Sequence, residues 1–161
     1  MSWRRYGMDG LEKLKPVALL LLRVGLGVIF VFHGYPKLFT HTRDAIGAFT
    51  KMGFPGYFAY LAGVIEFFGG CMLIAGLFTR VAGLFLFVEM AVALVKVHQL
   101  FANPAAVDVY QFPLALAVGS LALAAVGGGI ISIDHALAGG GGGGGPRRPS
   151  KKPKGGGKDR D

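Results

Sequence analysis

The sequence predicts an all-α integral membrane protein, built as an antiparallel four-helix bundle. Of its 161 residues, 53% are hydrophobic and only 16% are charged, and the mean hydropathy is +0.53. This composition is too apolar for an ordinary soluble domain. The apolar residues also fall in four separate runs, each close to the ~20 residues that a helix needs to cross a bilayer. The predicted membrane helices lie near 16–38, 56–78, 80–99 and 110–127.

Basic residues flank this apolar part of the chain. Of the 17 Lys and Arg, four lie in residues 1–15 and seven lie in residues 146–161. Because cytoplasmic segments of membrane proteins are enriched in Lys and Arg, both termini are predicted to be cytoplasmic. The Gly-rich tail has too few apolar residues to fold. We therefore predict a basic N-terminal segment (1–15), a four-helix domain (16–135) and a disordered basic tail (136–161).

The composition also excludes several kinds of site. The single cysteine, Cys71, permits no disulfide framework, no CxxC redox pair and no cysteine-based metal site, and we predict no metal. The net charge of +8 comes mainly from the two flanks, so it indicates membrane topology rather than specific binding of nucleic acid. We expect the tail to be solvated or to contact anionic lipid or a partner protein.

One charge interrupts the first predicted helix. Pro16 suits the first turn of a helix, and every residue in 17–32 except Arg23 is apolar or Gly. Pro36 is expected to end the helix, since proline cannot continue the backbone hydrogen bonding. Lys37 shares a helical stripe with Arg23 and is expected to extend towards the membrane interface.

Glu66 places a carboxylate in the middle of the second predicted helix, which follows the polar connection 39–54. Counted from Pro55 at about 1.5 Å per residue, Glu66 lies roughly 16 Å deep, near the midplane. A carboxylate there costs several kcal/mol unless it is neutral or paired. Its neighbours one turn away are all small, which favours a face packed against other helices: Ala62, Gly63, Gly69 and Gly70.

The third and fourth helices carry further polar groups. Residues 79–80 leave room only for a tight turn, so the second and third helices are predicted to form an antiparallel hairpin. Helical spacing places Glu89 and Lys96 on one face of the third helix. The fourth helix begins near Gln111 and ends at the glycines 127–129.

The buried charges permit two interpretations. We predict that Arg23, Glu66 and Glu89 form a buried polar cluster, because exposing any of them to hydrocarbon is costly. The cluster could be a structural ion pair that fixes helix register. It could also form a proton path or line a polar pocket.

A ligand site is the sharper hypothesis. His33, Glu66, Lys96 and Gln111 approach the outer half of the bundle from four different helices, and small residues line the same faces. Such a setting suits the headgroup of a quinone-like molecule. Pairing of the same groups with one another is the structural alternative. A haem b held by His33 and His98 is a further, less favoured alternative.

Several motifs resemble the DoxX family of small four-span bacterial membrane proteins. They cover about residues 17–135 and comprise Leu-Leu-Arg-Val-Gly-Leu-Gly at 21–27, His-Gly-x-x-Lys-Leu-Phe at 33–39, Gly-Phe-Pro at 53–55, Leu-Ala-Gly-x-x-Glu-x-x-Gly-Gly at 61–70, Gly-Leu-Phe-Thr-Arg at 76–80, Lys-x-His at 96–98 and Ser-Ile-Asp at 132–134. The resemblance implies an antiparallel four-helix bundle in the bacterial inner membrane. It also implies a role in membrane-bound redox complexes, one branch of the family being similar to the quinone-reducing subunit of thiosulfate:quinone oxidoreductase. The family commonly has Glu where this chain has Gln111, which weakens a proton-relay role there.

The functional prediction is an inner-membrane subunit of a redox-linked complex, which binds a quinone-like molecule within the bundle. The sequence has no motif for a cofactor that stores electrons, so we expect other membrane or redox subunits as partners. The alternative is a non-enzymatic scaffold or assembly subunit whose buried charges are structural.

Overall fold

The computed structural model of the protein describes residues 5–97 and 107–139, with side chains from Glu12 onward in the first range. The described residues form helices and contain no strand. Two π-helical segments, Pro36–Thr40 and Ala93–Val97, extend the first and fourth helices. The α-helices are α1 (Arg5–Tyr35), α2 (Thr42–Lys51), α3 (Tyr57–Ala75), α4 (Thr79–Val92), α5 (Val107–Val126) and α6 (Ile133–Gly139).

Four of these helices form the predicted antiparallel bundle, so the predicted fold class is confirmed. Helices α3 and α4 form a hairpin, α1 packs against α3, and α5 packs against α4. Within the described part of the chain, three helical stretches are long and apolar enough to cross a membrane: Glu12–Thr40, Tyr57–Ala75 and Val107–Val126. The fourth long stretch, Thr79–Val97, carries the charged residues Arg80, Glu89 and Lys96.

Glycines bring the backbones of α1 and α3 into direct contact. A Cβ atom added to Gly27 would lie 2.7 Å from the carbonyl oxygen of Gly70, and one added to Gly70 would lie 2.7 Å from that of Gly27. A Cβ on Gly34 would lie 2.5 Å from the backbone nitrogen of Phe67 and 2.8 Å from the carbonyl oxygen of Gly63. Small residues permit this approach, which is how membrane helices gain packing energy in lipid.

The pair of α4 and α5 is built in the same way. A Cβ on Gly83 would lie 2.8 Å from the carbonyl oxygen of Ser120. Between the two helix pairs lies an apolar core, in which Leu86 packs against Gly69 and Leu26 packs against Gly119. The largest apolar side chains that are fully buried are Phe30, Leu73, Leu86 and Leu123.

Three predicted element boundaries are wrong. Helix α1 already includes Arg5, and Pro16 lies inside it rather than at its start, since a helix can continue past a single missing N–H. Pro36 does not end the helix, because the chain widens into a π-helical turn in which the N–H of His41 donates to Pro36. The turn between α3 and α4 lies at Gly76–Phe78, before Thr79.

The polar connection contains a short helix of its own. Helix α2 packs against α3. A Cβ atom added to Gly56, just before α3, would lie 2.8 Å from Cγ2 of Ile46 on α2. The rings of Phe49 and Phe54 lie 6.1 Å apart between their centroids. Residues 98–106, which include His98, and the tail from residue 140 onward lie outside the described residues.

Candidate functional site

A buried ion pair joins the π-helical segment after α1 to α3. The ammonium of Lys37 donates to Oε2 of Glu66, and the Glu66 side chain is only 3% exposed. Lys37 lies in the π-helical turn after α1 and passes close to Gly63 of α3. A Cβ atom added to Gly63 would lie 3.0 Å from Cβ of Lys37. Because Gly63 has no side chain, Lys37 can cross α3 and reach Glu66, one helical turn further along.

A second carboxylate faces this pair from α4. Oε2 of Glu89 is buried and has no hydrogen-bond partner among the described residues. Glu89 interacts electrostatically with both Glu66 and Lys37. We call these three residues, Lys37, Glu66 and Glu89, the central charge cluster. It sets two carboxyl groups against one ammonium group, and the ammonium group of Lys37 donates to Glu66 and not to Oε2 of Glu89.

Arg23, which the sequence predicted to join Glu66 and Glu89, lies elsewhere. It precedes Lys37 on α1 by about four helical turns, or roughly 21 Å. Its side chain is buried and donates from Nη1 to the carbonyl oxygen of Gly128 at 2.7 Å. The sequence analysis missed Lys37 as the partner of Glu66, although Lys37 lies on the same helical stripe as Arg23.

His33 and Gln111 lie at neighbouring positions of α1 and α5. Nδ1 of His33 is 2.8 Å from the carbonyl oxygen of Ile29. Since a carbonyl oxygen only accepts, Nδ1 carries the proton, and Nε2 of the neutral ring is free to accept one. The ring of His33 lies 5.7 Å from that of Phe112, which follows Gln111. Both His33 and Gln111 are exposed.

Lys96 lies apart from these residues. The π-helical segment Ala93–Val97 turns the helix more slowly than an α-helix, so Lys96 leaves the face of Glu89 and is exposed. It lines a shallow apolar groove of about 370 Å³ with Phe87 and Val95. No hydrogen bond or ion pair between described residues joins Lys96, His33 or Gln111 to Glu66.

An aromatic wall lies beside the central charge cluster. The ring of Phe67 lies 6.2 Å from that of Tyr35, 5.4 Å from that of Phe39 and 5.3 Å from that of Phe68. Tyr35 and Phe39 flank Lys37 in the chain, and Phe67 follows Glu66. The site thus combines an ammonium donor, a free carboxyl oxygen and aromatic rings, a set that can bind a flat molecule with polar groups.

The predictions of cofactors stay predictions. Because His98 lies outside the described residues, the haem alternative is untested. In the described part of the chain, no group of three or more His, Cys, Asp or Glu side chains is placed to hold a metal ion.

A second polar cluster lies at the opposite end of the bundle. Oδ1 and Oδ2 of Asp134 accept hydrogen bonds from the backbone N–H groups of Phe78 (2.6 Å) and Thr79 (2.9 Å). The N–H of Asp134 donates to the carbonyl oxygen of Gly76 at 2.9 Å. Asp134 therefore caps the first turn of α4 and fastens α6 to the α3–α4 turn. No local pattern could reveal this cap, because the residues that it joins are distant in sequence.

The hydrogen bonds to Asp134 also affect its pKa. Burial alone would raise the pKa of this carboxyl group, but hydrogen bonds from Thr79 and Phe78 and the charge of Arg23 hold it below its ordinary value. A carboxyl group whose pKa is lower in the folded state stabilises the fold above its unfolded pKa of about 3.9. That stability is lost as the pH falls through the lowered pKa.

We expect Asp134→Asn to lower the free energy of unfolding at pH 7 by about 1 kcal/mol, because the charged cap of α4 is lost. The difference between parent and variant should shrink as the pH falls below about 4. Thermal unfolding in detergent micelles between pH 3 and 7 would measure it. Asp44→Asn, on the exposed first turn of α2, is the control and should change little. A difference that stays constant over this pH range would contradict the role of the charge.

Comparisons with known proteins show a family of sequences that this chain resembles. Residues 18–99 match the sequence model of the DoxX family. The chain is 32% identical over 120 residues to the "Putative oxidoreductase CatD" of Bacillus subtilis, covering 73% of this chain and 85% of that protein. It is 30% identical over 129 residues to the "Inner membrane protein YqjF" of Escherichia coli, covering 79% of this chain and 97% of that protein.

A further relative is an uncharacterized protein of Haemophilus influenzae. It is 40% identical over 91 residues, which is 56% of this chain and 66% of that protein, slightly less than two thirds of its length. No solved structure matches the chain.

Proposed function

The chain belongs to the DoxX family of membrane proteins, and on this premise we propose that it is an inner-membrane subunit of a redox-linked complex. In this proposal a quinone-like molecule binds between the helices at the central charge cluster. Its headgroup lies near His33, Glu66, Lys96 and Gln111, and Lys37 and Glu89 join the set. Both termini are cytoplasmic.

The free carboxyl oxygen of Glu89 is the observation that carries this proposal. A buried polar atom without a hydrogen bond costs about 1–3 kcal/mol, so a ligand that donates a hydrogen bond there gains affinity. A hydroquinone hydroxyl is such a donor. A quinone carbonyl, in turn, accepts from the ammonium of Lys37. The cluster thus matches the polar groups of both redox forms.

The surroundings of the cluster also support a flat, apolar ligand. The rings of Tyr35, Phe39 and Phe67 offer faces and edges against which a quinone ring can pack. His33, with Nε2 free, lies at the exposed side, where it can exchange a proton with water. Reduction of a quinone takes two electrons and two protons.

The electrons have to come from another subunit, because the sequence has no motif for an electron-storing cofactor. The name of the relative in Bacillus subtilis, a putative oxidoreductase, and the membrane location in the name of the Escherichia coli relative agree with this proposal. The competing function is a non-enzymatic scaffold. The pairing of Lys37 with Glu66 inside the protein favours it, since that pair also serves to fix the helices.

Binding of a short-chain quinone in its reduced, hydroquinone form to the purified protein in detergent would separate the two functions. We expect saturable binding by isothermal titration calorimetry, weakened at least about tenfold by Glu89→Leu, because the acceptor for the hydroquinone hydroxyl is lost. Lys51→Gln, an exposed change on α2, is the control and should bind like the parent. Absence of saturable binding to a folded parent would leave the scaffold function, whereas equal binding by Glu89→Leu and the parent would contradict a site at Glu89.

A further inference from the structure

A second groove lies at the opposite end of the bundle from Lys37, outside the proposed quinone site. It has a volume of about 510 Å³ and is formed by the start of α4, the end of α5 and the start of α6. This volume falls within the about 300–1,000 Å³ that is usual for small-molecule sites. We propose that this groove binds the phosphate group of an anionic phospholipid such as phosphatidylglycerol.

The positive charge in the groove is Arg80. Its Nη2 is 3.4 Å from the carbonyl oxygen of Val126, a long contact. Arg80 forms no ion pair with any described carboxylate. A guanidinium group has five N–H donors in a planar fork that fits phosphate oxygens in pairs. Most of these donors are available to a ligand, while Gly127, which has no side chain, lets the guanidinium lie close to the backbone.

The other charges around the groove leave it positive. Asp134 lines the groove, but both of its carboxylate oxygens already accept backbone N–H groups. The buried guanidinium group of Arg23 also interacts electrostatically with the carboxylate of Asp134. With Arg80 added, two guanidinium groups stand against one carboxylate.

The backbone at the end of α5 adds suitable geometry. Gly127 (φ +88°) and Gly129 (φ +74°) are left-handed, whereas Gly128 between them is not. The N–H of Gly127 donates to the carbonyl oxygen of Leu123, which ends α5 at this turn. A Cβ atom on Gly127 would lie 3.0 Å from Nε of Arg80, so the glycine leaves space for the guanidinium group.

The walls of the groove favour a lipid over a free anion. Phe78 and Ile130 are each 60% exposed beside Arg80, at the point where the membrane-spanning helices end. An acyl chain can pack against these apolar side chains while the phosphate contacts the cation. The distribution of Lys and Arg predicts that this end of the bundle is cytoplasmic, where anionic lipids attract basic groups.

Thermal unfolding in zwitterionic micelles tests the proposal. Addition of phosphatidylglycerol should raise the Tm of the parent by about 4 °C or more, as expected for a ligand well above its dissociation constant. Phosphatidylcholine should not. The rise in Tm caused by phosphatidylglycerol should disappear in Arg80→Gln and should persist in part in Arg80→Lys. Arg43→Gln, which changes an exposed arginine on α2 at the other end, should keep all of it.

Each other outcome overturns the proposal. An equal response of Arg80→Gln and the parent would place the lipid elsewhere. An equal effect of inorganic phosphate at the same concentration would show a site for free anions rather than for lipid. Native mass spectrometry provides a second measurement if Arg80→Gln unfolds early, because it counts bound phosphatidylglycerol on the folded fraction. An equal number of bound lipids on parent and variant would contradict the site.

Discussion

Replacement of Lys37 by Met should destabilise the protein by about 3–5 kcal/mol, because it leaves the Glu66 carboxylate buried without its partner. Methionine has nearly the same length as lysine, so the change removes the charge and little of the packing. Glu66 is almost fully buried, and Lys37 is its only hydrogen-bond partner among the described side chains. Chemical unfolding in detergent micelles would measure the loss.

A double variant identifies the cause. Lys37→Met with Glu66→Leu removes both charges, and we expect it to recover most of the lost stability, because an apolar pair can replace a buried ion pair at little cost. Lys51→Met, an exposed change on α2, is the matched control and should alter stability by less than about 0.5 kcal/mol. Equal destabilisation by the single and double variants would contradict the ion pair as the source.

The helices were predictable because each is encoded by local sequence. Apolar length predicts four membrane helices, and three of the described stretches are long and apolar enough to cross a membrane. Small residues around Glu66 indicate a face turned into the bundle. The partner of Glu66 was not predictable in this way. Arg23 and Lys37 lie on one stripe of α1, and the choice between them depends on the register of α1 against α3. That register follows from contacts such as Gly27 with Gly70, which are distant in sequence.

Two other features depend on backbone geometry that residue patterns do not specify. The π-helical turn after Pro36 carries Lys37 over Gly63, and a regular helix end would have left Lys37 at the rim. The π-helical segment after α4 moves Lys96 away from Glu89. In both places a change in helical pitch decides which charged side chain enters the bundle. Glu66 is buried in the interior as the sequence predicts, while the ligand site around it stays a prediction.

Gly34→Ala should destabilise the protein by about 3 kcal/mol, the upper end for overpacking, because the added Cβ meets backbone rather than a flexible side chain. It would lie 2.5 Å from the nitrogen and 2.9 Å from Cα of Phe67, atoms that cannot move without shifting α3. Gly25→Ala is the matched control on the same helix. Nothing lies within 4 Å of a Cβ there, so alanine should be neutral or stabilise by up to about 1 kcal/mol.

Unfolding of both variants in the same micelles would compare the two effects, and equal effects would contradict close contact between α1 and α3. A further consequence concerns the ion pair. Gly34 lies one helical turn before Lys37, so separation of the helices at Gly34 should also pull Lys37 away from Glu66. Combining Gly34→Ala with Lys37→Met should then cost less than the sum of the two single changes, because both disrupt one coupled contact. Additive losses would show that helix packing and the ion pair are independent.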